Sequence, residues 1–372
     1  MKTYNLIGKK EDFYKLSTEW KDLLIRSKTA NPFLTWDWMY YWWDTYSEKI
    51  DSRSLCIITV RNEGRLIAIL PGFVQLNSAI QTFYFLGSKF ESSDYLEMIC
   101  EEQERRGTIL ADSLNYLIKK QKIDVLSFTG VLIDSLFNQS LKEFATQNHL
   151  KLLIRHGSLC PYIDIIGSWP DYVKTLSKNM RYNLGRRTRK MQDKFHAEFQ
   201  VLTNKGKIDE AIDELFLLHQ SWFALRKKND SFQGNLREEF HKKLAHSFFE
   251  QDILRIFQLK VSNKTIAALY CYEYANQLFY FQAGSDPEWL KYSVGMVIMG
   301  HVIHYAHTNG LSRFDFLRGD EDYKFNWTNK SRLLGSVYLG ISGRGKMFLV
   351  KKEAYIQLKK CIKTTLRMFC RS

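Results

Sequence analysis

Between Arg318 and Trp327 the chain reads RGDEDYKFNW, with a guanidinium, three carboxylates, a phenol and an amine inside seven positions. That set of groups suits group transfer: a carboxylate takes a proton from a nucleophile, a phenol returns one to a leaving group, and cations hold anionic substrate. Asp320 or Glu321 would accept the proton or fix an acceptor amine, Tyr323 would protonate the leaving group, and Lys324 and Arg318 would hold an acceptor phosphate or carboxylate. The alternative is a solvated loop at a strand end. Asp315 stands between Phe314 and Phe316. Neighbours on a strand point to opposite faces, so core-facing phenylalanines would turn Asp315 toward a cleft or solvent.

These residues need elements to position them. From Leu278 to Trp327 the pattern is strand, polar loop, helix, glycine stop, strand, acidic loop. Along the strand, the backbone around Tyr280, Gln282 and Ala283 can polarise a carbonyl. Ser293 is placed to cap the helix, and Val294 and Gly295 open it. Glycine lets a ligand approach closely, and the free N–H groups of a first turn suit an anion such as a pyrophosphate. Gly310 marks the helix end. His301, His304 and His307 share this helix, but steps of three drift by about 60°, and no carboxylate completes a ligand set. No metal is expected. The six cysteines form no C-x-x-C pair, which argues against a zinc site or a disulfide framework. Cys271 has no evident histidine base and is not expected to be a nucleophile.

The formal net charge of +14 is concentrated in two segments. Lys174 to Lys194 carries eight basic residues against Asp193, and Arg344 to Arg371 carries nine against Glu353. The first segment reads as one helix capped by Ser168 or Asp171, with Tyr172, Val173, Leu176, Met180 and Leu184 on its apolar stripe. Its basic face, with Arg181 and Arg186, would hold an anionic substrate or simply be solvated. The second reads as a basic amphipathic helix with Leu349, Ile356, Leu358, Ile362, Leu366 and Phe369 as its apolar residues. Such a helix lies on an anionic membrane surface or docks on its own domain. No nucleic acid is expected, because zinc-finger spacing, RNP aromatics and a heptad with a basic region are all missing.

A length of 372 residues, 45% hydrophobic and 25% charged, predicts two globular α/β domains. The segments RSLCIITVRNEGRLIAILPG from Arg53 and DILRIFQLKVSNKTIAALYC from Asp252 are both strand, polar turn, strand. They suggest two copies of one unit, with the boundary near Gly157 to Cys160. The expected domains are residues 1–158 and 159–343, followed by a tail helix at 344–372. No apolar run resembles a signal peptide or a membrane span, so the expected location is cytoplasmic, with the tail bringing the protein to the inner membrane face.

The segments YFQAGSDPEW, YSVG and FDFLRGDEDYKFNW, with LSKNMRYNLGRRTRKM and NPFLTWDWM upstream, resemble the CelD/BcsL-type acetyltransferases of the GNAT superfamily. These are in turn similar to the Fem-type peptidoglycan aminoacyltransferases. The resemblance spans roughly residues 30 to 340. It implies a tandem GNAT-like fold of mixed sheets flanked by helices, with the acyl-donor site mainly in the second copy. It also implies acyl transfer from acyl-CoA, such as acetyl-CoA, to an amine or hydroxyl of a cell-envelope polysaccharide, sugar or lipid-linked precursor. The chain departs from the usual closely spaced glycines of the pyrophosphate loop, since KYSVGM offers only Gly295. It also has no long heptad insertion like the Fem arm, which favours acyl-CoA over aminoacyl-tRNA. The alternatives are a Fem-like aminoacyl-tRNA-dependent transferase and a non-catalytic membrane-associated assembly factor.

Overall fold

The structure, a computed structural model, describes residues 1–27, 29–101, 105–225 and 234–369. Cys370 and the side chains of Cys361, Leu366 and Phe369 lie outside the described residues. The chain divides into two compact units, one of residues 1–157 with 333–372 and one of residues 158–332.

In the first unit, Lys2–Ile7, Ile57–Asn62, Arg65–Leu70 and Ile99–Cys100 form an antiparallel sheet in that order. The helix Arg106–Gln121 then leads into the strand Val125–Leu132. The expected long hairpin from Ser54 to Phe73 is interrupted at Cys56 and Pro71. Proline offers no N–H to a ladder. Beyond those breaks Arg53–Leu55 and Gly72–Asn77 pair with each other in a separate sheet, which continues through Ile80–Phe85 and Val125–Leu132.

The second unit repeats this order of elements. Glu198–Val201, Leu254–Val261, Lys264–Tyr274 and Gln277–Ser285 pair antiparallel. The helix Val294–Thr308 follows, and Arg313–Asp315 returns parallel to Gln277–Ser285. The helices Ile208–Leu225 and Asn235–Glu250 connect the first two strands, as two helical stretches do in the first unit. The core joins Met180, Leu184 and Met191 of the basic segment to Val294, Val297, Ile298 and Val302 and to sheet residues Leu269, Cys271 and Leu278. A side chain at Gly300 would come within 2.7 Å of Leu184, so this glycine sets how closely the two helices pack.

Four expectations change. Lys151–Asp164 is one continuous strand that runs through the expected boundary at Gly157 to Cys160. The strand Ser331–Gly340 pairs through Leu334–Gly340 with Val125–Leu132, so residues 333–340 group with the first unit rather than the second. The last helix, Gly343–Phe369, also belongs to that unit: Leu349 is fully buried against Val125, Leu153 and Tyr338. The basic segment is two helices, Trp169–Thr175 and Lys178–Phe195. Leu176 is extended between them, and the Ser177 side chain accepts from the Met180 N–H to start the second.

Candidate active site

The site lies within the second unit, where two parallel strands separate. Gln277, Leu278 and Phe279 pair with Arg313, Phe314 and Asp315, and the ladder stops there. Gln277–Ser285 continues for six further residues without that neighbour. On its other side the pairing slips between Tyr270 and Cys271: Tyr270 faces Gln282 and Cys271 faces Tyr280, which leaves Phe281 as an extra residue. A bulge of this kind bends the strand and re-aims its side chains.

Beyond the divergence, Tyr280 lies under the acidic loop. Its hydroxyl is 3.3 Å from that of Tyr323. Tyr323 exposes its ring but turns the hydroxyl inward. Burial pushes the Tyr323 pKa up to about 12, and burial with Tyr323 alongside raises that of Tyr280 well above the ordinary tyrosine value. Both phenols are therefore neutral proton donors at physiological pH. Gln282 folds back, its Oε1 accepting from the Ala283 N–H at 3.0 Å. Of the three strand residues expected to polarise a carbonyl, Ala283 therefore has its N–H already engaged by Gln282.

The RGDEDYKFNW loop is held from within. Lys324 is 4% exposed; its Nζ donates to the Arg318 carbonyl at 2.8 Å and pairs with Glu321 at 3.1 Å. It braces the loop, and its burial replaces the expected contact with an acceptor phosphate or carboxylate. Asp320 accepts from the Leu159 N–H at 2.7 Å, and Glu321 and Arg318 are exposed at the loop surface. Asp315 departs further from expectation. It is fully buried, accepting from the Leu317 N–H at 2.8 Å and pairing with Arg332. Phe314 and Phe316 are also buried, because this short strand lies between two neighbours in the sheet interior. Asp315 therefore holds Leu317 in its left-handed conformation, φ +53°, where the chain turns into the loop.

The start of the helix Val294–Thr308 forms the other half of the site. Ser293 does not cap it by side chain; it is left-handed, φ +57°, and the helix N–H groups of Met296 and Val297 donate to its carbonyl. Val294 and Gly295 are the first helical positions, whose N–H groups have no acceptor within the helix. A side chain at Gly295 would meet only Ser285 Oγ, at 3.8 Å, so space lies open in front of this exposed turn.

Sequence reasoning missed the residue that reaches this turn. Arg187 donates from Nη1 to the Ser293 hydroxyl, and its Nε is buried without a partner. Lys190 and Lys291 lie over the Tyr292 ring at 5.0 and 5.3 Å. Among the described residues, none of these three cations has a carboxylate within ion-pair distance. The available signal was helical spacing, since Met180, Leu184, Arg187 and Met191 fall on one stripe and place a charge where the helix is otherwise buried. The expected Arg181 instead donates to the Lys174 and Leu176 carbonyls, stapling the break between the two helices. Arg186 is exposed, beside Asn183 and Tyr182.

The remaining candidates are placed apart from this site. His301 stacks on Phe199, while His304 and His307 both pack on Trp169 and His307 Nδ1 meets the Gly167 carbonyl. Burial raises the Cys271 thiol well above its ordinary pKa, which suits packing rather than nucleophilic attack. In the first unit, the helix at the same place in the order of elements, Arg106–Gln121, opens on Arg106. There Arg106 pairs with Glu97 at 3.3 Å and donates to the Cys100 carbonyl.

The splayed parallel pair, the bulged strand and the helix start all lie in the part of the chain that a family model matches. Residues 178–325 match the family model described as acetyltransferase (GNAT) domain. The fold is GNAT-like. No curated protein sequence matches the chain. Among solved structures, FemX superposes with a TM-score of 0.64 at 10% identity, over 90% of this chain and 98% of its own. L-PGS from Bacillus licheniformis gives 0.55 at 10% identity, over 93% and 97%. A conserved protein of unknown function from Bacteroides thetaiotaomicron gives 0.54 at 12% identity, over 92% and 100%. At such identities the likeness establishes fold, and its span over both units matches the repeated order of elements. The GNAT domain match lies across the second unit, with the basic helix Lys178–Phe195 at its start.

Proposed function

We propose that the protein is an acyltransferase that moves an acetyl or other acyl group from acyl-CoA to an amine or hydroxyl of a cell-envelope polysaccharide or its precursor. The observation that carries this reading is the meeting of Arg187, Lys190 and Lys291 at the open first turn of Val294–Thr308, beside the splayed strand. Three cations with no carboxylate partner among the described residues suit a ligand bearing several phosphates, and they offset the missing glycines of the KYSVGM turn. In the first unit the cation at the helix start, Arg106, is already taken by Glu97, which favours a donor site in the second.

The residues supply the rest of the chemistry. A donor seated on the helix start would run its thioester along the strand from Tyr280 to Ser285, where the backbone has lost one neighbour. Using the Ala283 N–H for the carbonyl requires Gln282 to swing away. As the acceptor nitrogen or oxygen bonds to the carbonyl carbon, the C–S bond breaks. The acceptor's proton passes to a carboxylate, for which Glu321 and Asp320, exposed on the loop that bears Tyr323, are the candidates. The Tyr323 phenol, kept protonated by burial, gives a proton to the departing sulfur.

One observation favours a second reading. Lys178, Arg186, Arg189, Lys190 and Lys194 are exposed along the basic helix, and such a row suits the phosphates of an aminoacyl-tRNA. Thermal denaturation with acetyl-CoA, longer acyl-CoAs and tRNA separates the two. A ligand at about a hundred times its dissociation constant adds roughly 2.7 kcal/mol, a readable shift in melting temperature. A shift with acyl-CoA that shrinks in Arg187→Ala supports the first reading; a shift with tRNA alone replaces it with the second.

A further inference from the structure

The helix Gly343–Phe369 has two apolar sides where its sequence suggests one. Leu349 is fully buried and Ile356 half-buried against Val125, Leu153 and Tyr338. On the same inward side Glu353 pairs with Lys151 at 2.7 Å, and Lys352 lies over the Tyr338 ring at 3.8 Å. Met347, Val350, Tyr355, Leu358 and Ile362 are each at least half exposed. At 100° per residue they fall within one arc, opposite Leu349 and Ile356. Docking on the first unit therefore uses one stripe and leaves a longer apolar face in water. A helix that only packs on its own domain carries polar residues there.

We propose that this outward face docks on an anionic lipid membrane, with the helix lying in the plane of the surface. Charge selects the occupant. The helix carries eight basic residues against one acid, and that acid, Glu353, is taken by Lys151 on the inward side. Exposed Lys351 lies within the apolar arc, and Lys359, over the Tyr355 ring at 4.7 Å, lies at its edge. Apolar residues bordered by cations suit the headgroup boundary of an anionic bilayer. A second copy of the chain would bring eight more positive charges against the same face. No helix among the described residues is long and apolar enough to cross a membrane, so the contact is peripheral.

The test is flotation of the full chain with phosphatidylcholine vesicles, with and without phosphatidylglycerol. The protein is expected to float with phosphatidylglycerol vesicles, and less so at high salt as the charges are screened. The double variant Leu358→Asp with Ile362→Asp replaces exposed side chains, so an unchanged melting temperature will report an intact fold. Its partitioning is expected to fall by about tenfold or more. Lys351→Glu with Lys359→Glu should weaken binding to phosphatidylglycerol vesicles alone. The proposal is overturned if the folded wild-type chain ignores phosphatidylglycerol vesicles, or if the Asp variant floats as well as wild type. It is overturned equally by a dimer that the Asp variant dissociates, without vesicle binding, which would assign the face to a second copy.

Discussion

Arg187 on the helix Lys178–Phe195 donates to the hydroxyl of Ser293, the residue before the helix Val294–Thr308. Residues 106 positions apart in the chain thus meet at the turn proposed to receive the donor's phosphates. A charged hydrogen bond contributes about 1.5–3 kcal/mol, or roughly ten- to a hundredfold in affinity. Arg187→Ala is therefore expected to raise the Kd for acetyl-CoA by that factor while leaving kcat on saturating donor nearly unchanged. Calorimetry and steady-state kinetics read the two separately. Unaltered affinity in a folded variant would remove Arg187 from the donor site.

Tyr323→Phe removes the inward hydroxyl with little change in shape. A positioned general acid contributes about a hundred- to ten-thousandfold, so kcat should fall within that range while donor affinity holds. The same phenol predicts a pH effect on stability. The unfolded chain loses this proton near pH 10.0, the folded one near pH 12. Its contribution is fully present below pH 10 and is lost as pH rises toward 12, because the unfolded state binds fewer protons there. Tyr280 adds a slope of the same sign. Urea midpoints from pH 9 to 12 should decline, and less steeply in Tyr323→Phe.

Asp315→Ala separates support from catalysis. The carboxylate is buried and engaged by Arg332 and the Leu317 N–H. Removing one partner of a buried pair costs about 3–5 kcal/mol, toward the lower end here because Arg332 is partly exposed. A clear loss of melting temperature is expected, with acyl-CoA still bound by the folded fraction. A variant that melts like wild type but is inactive would return Asp315 to the chemistry.

Gly319 is fixed by its surroundings. At φ +136° a side chain would lie 2.1 Å from Glu321 Oε2 and 2.5 Å from Lys324 Nζ. Gly319→Ala must displace that pair or the backbone, at about 1–3 kcal/mol of local strain. Because the pair braces the loop bearing Tyr323, kcat should drop by more than the small change in melting temperature suggests. Parallel activity and thermal assays decide the matter.

Local pattern was enough to reveal much of the fold. The strand, polar turn and strand expected from Asp252 form a hairpin that turns at Ser262 and Asn263. The helix Val294–Thr308 stops before Gly310, which adopts φ +63°. These features depend on neighbours within a few positions, and residue types report such neighbours well. The break at Leu176 was missed because its apolar period runs on unbroken, while the cap on Ser177 depends on a single hydroxyl.

By itself the sequence determined that charge gathers in two segments, that a strand–helix–strand unit precedes a polar loop, and that the loop holds acids, a phenol and an amine together. Tertiary structure alone decided which of these groups are buried and which stay exposed. Lys324 and Asp315 turned inward because partners from Arg318, Glu321, Leu317 and Arg332 satisfy them. Arg187 gained its place from a helix more than a hundred residues away. The last helix was split into a docked and an open side by a sheet whose strands come from distant parts of the chain. The physical reason is common to all three: burying a charge or an apolar face depends on what lies across from it, and that neighbour is set by chain topology rather than by local spacing.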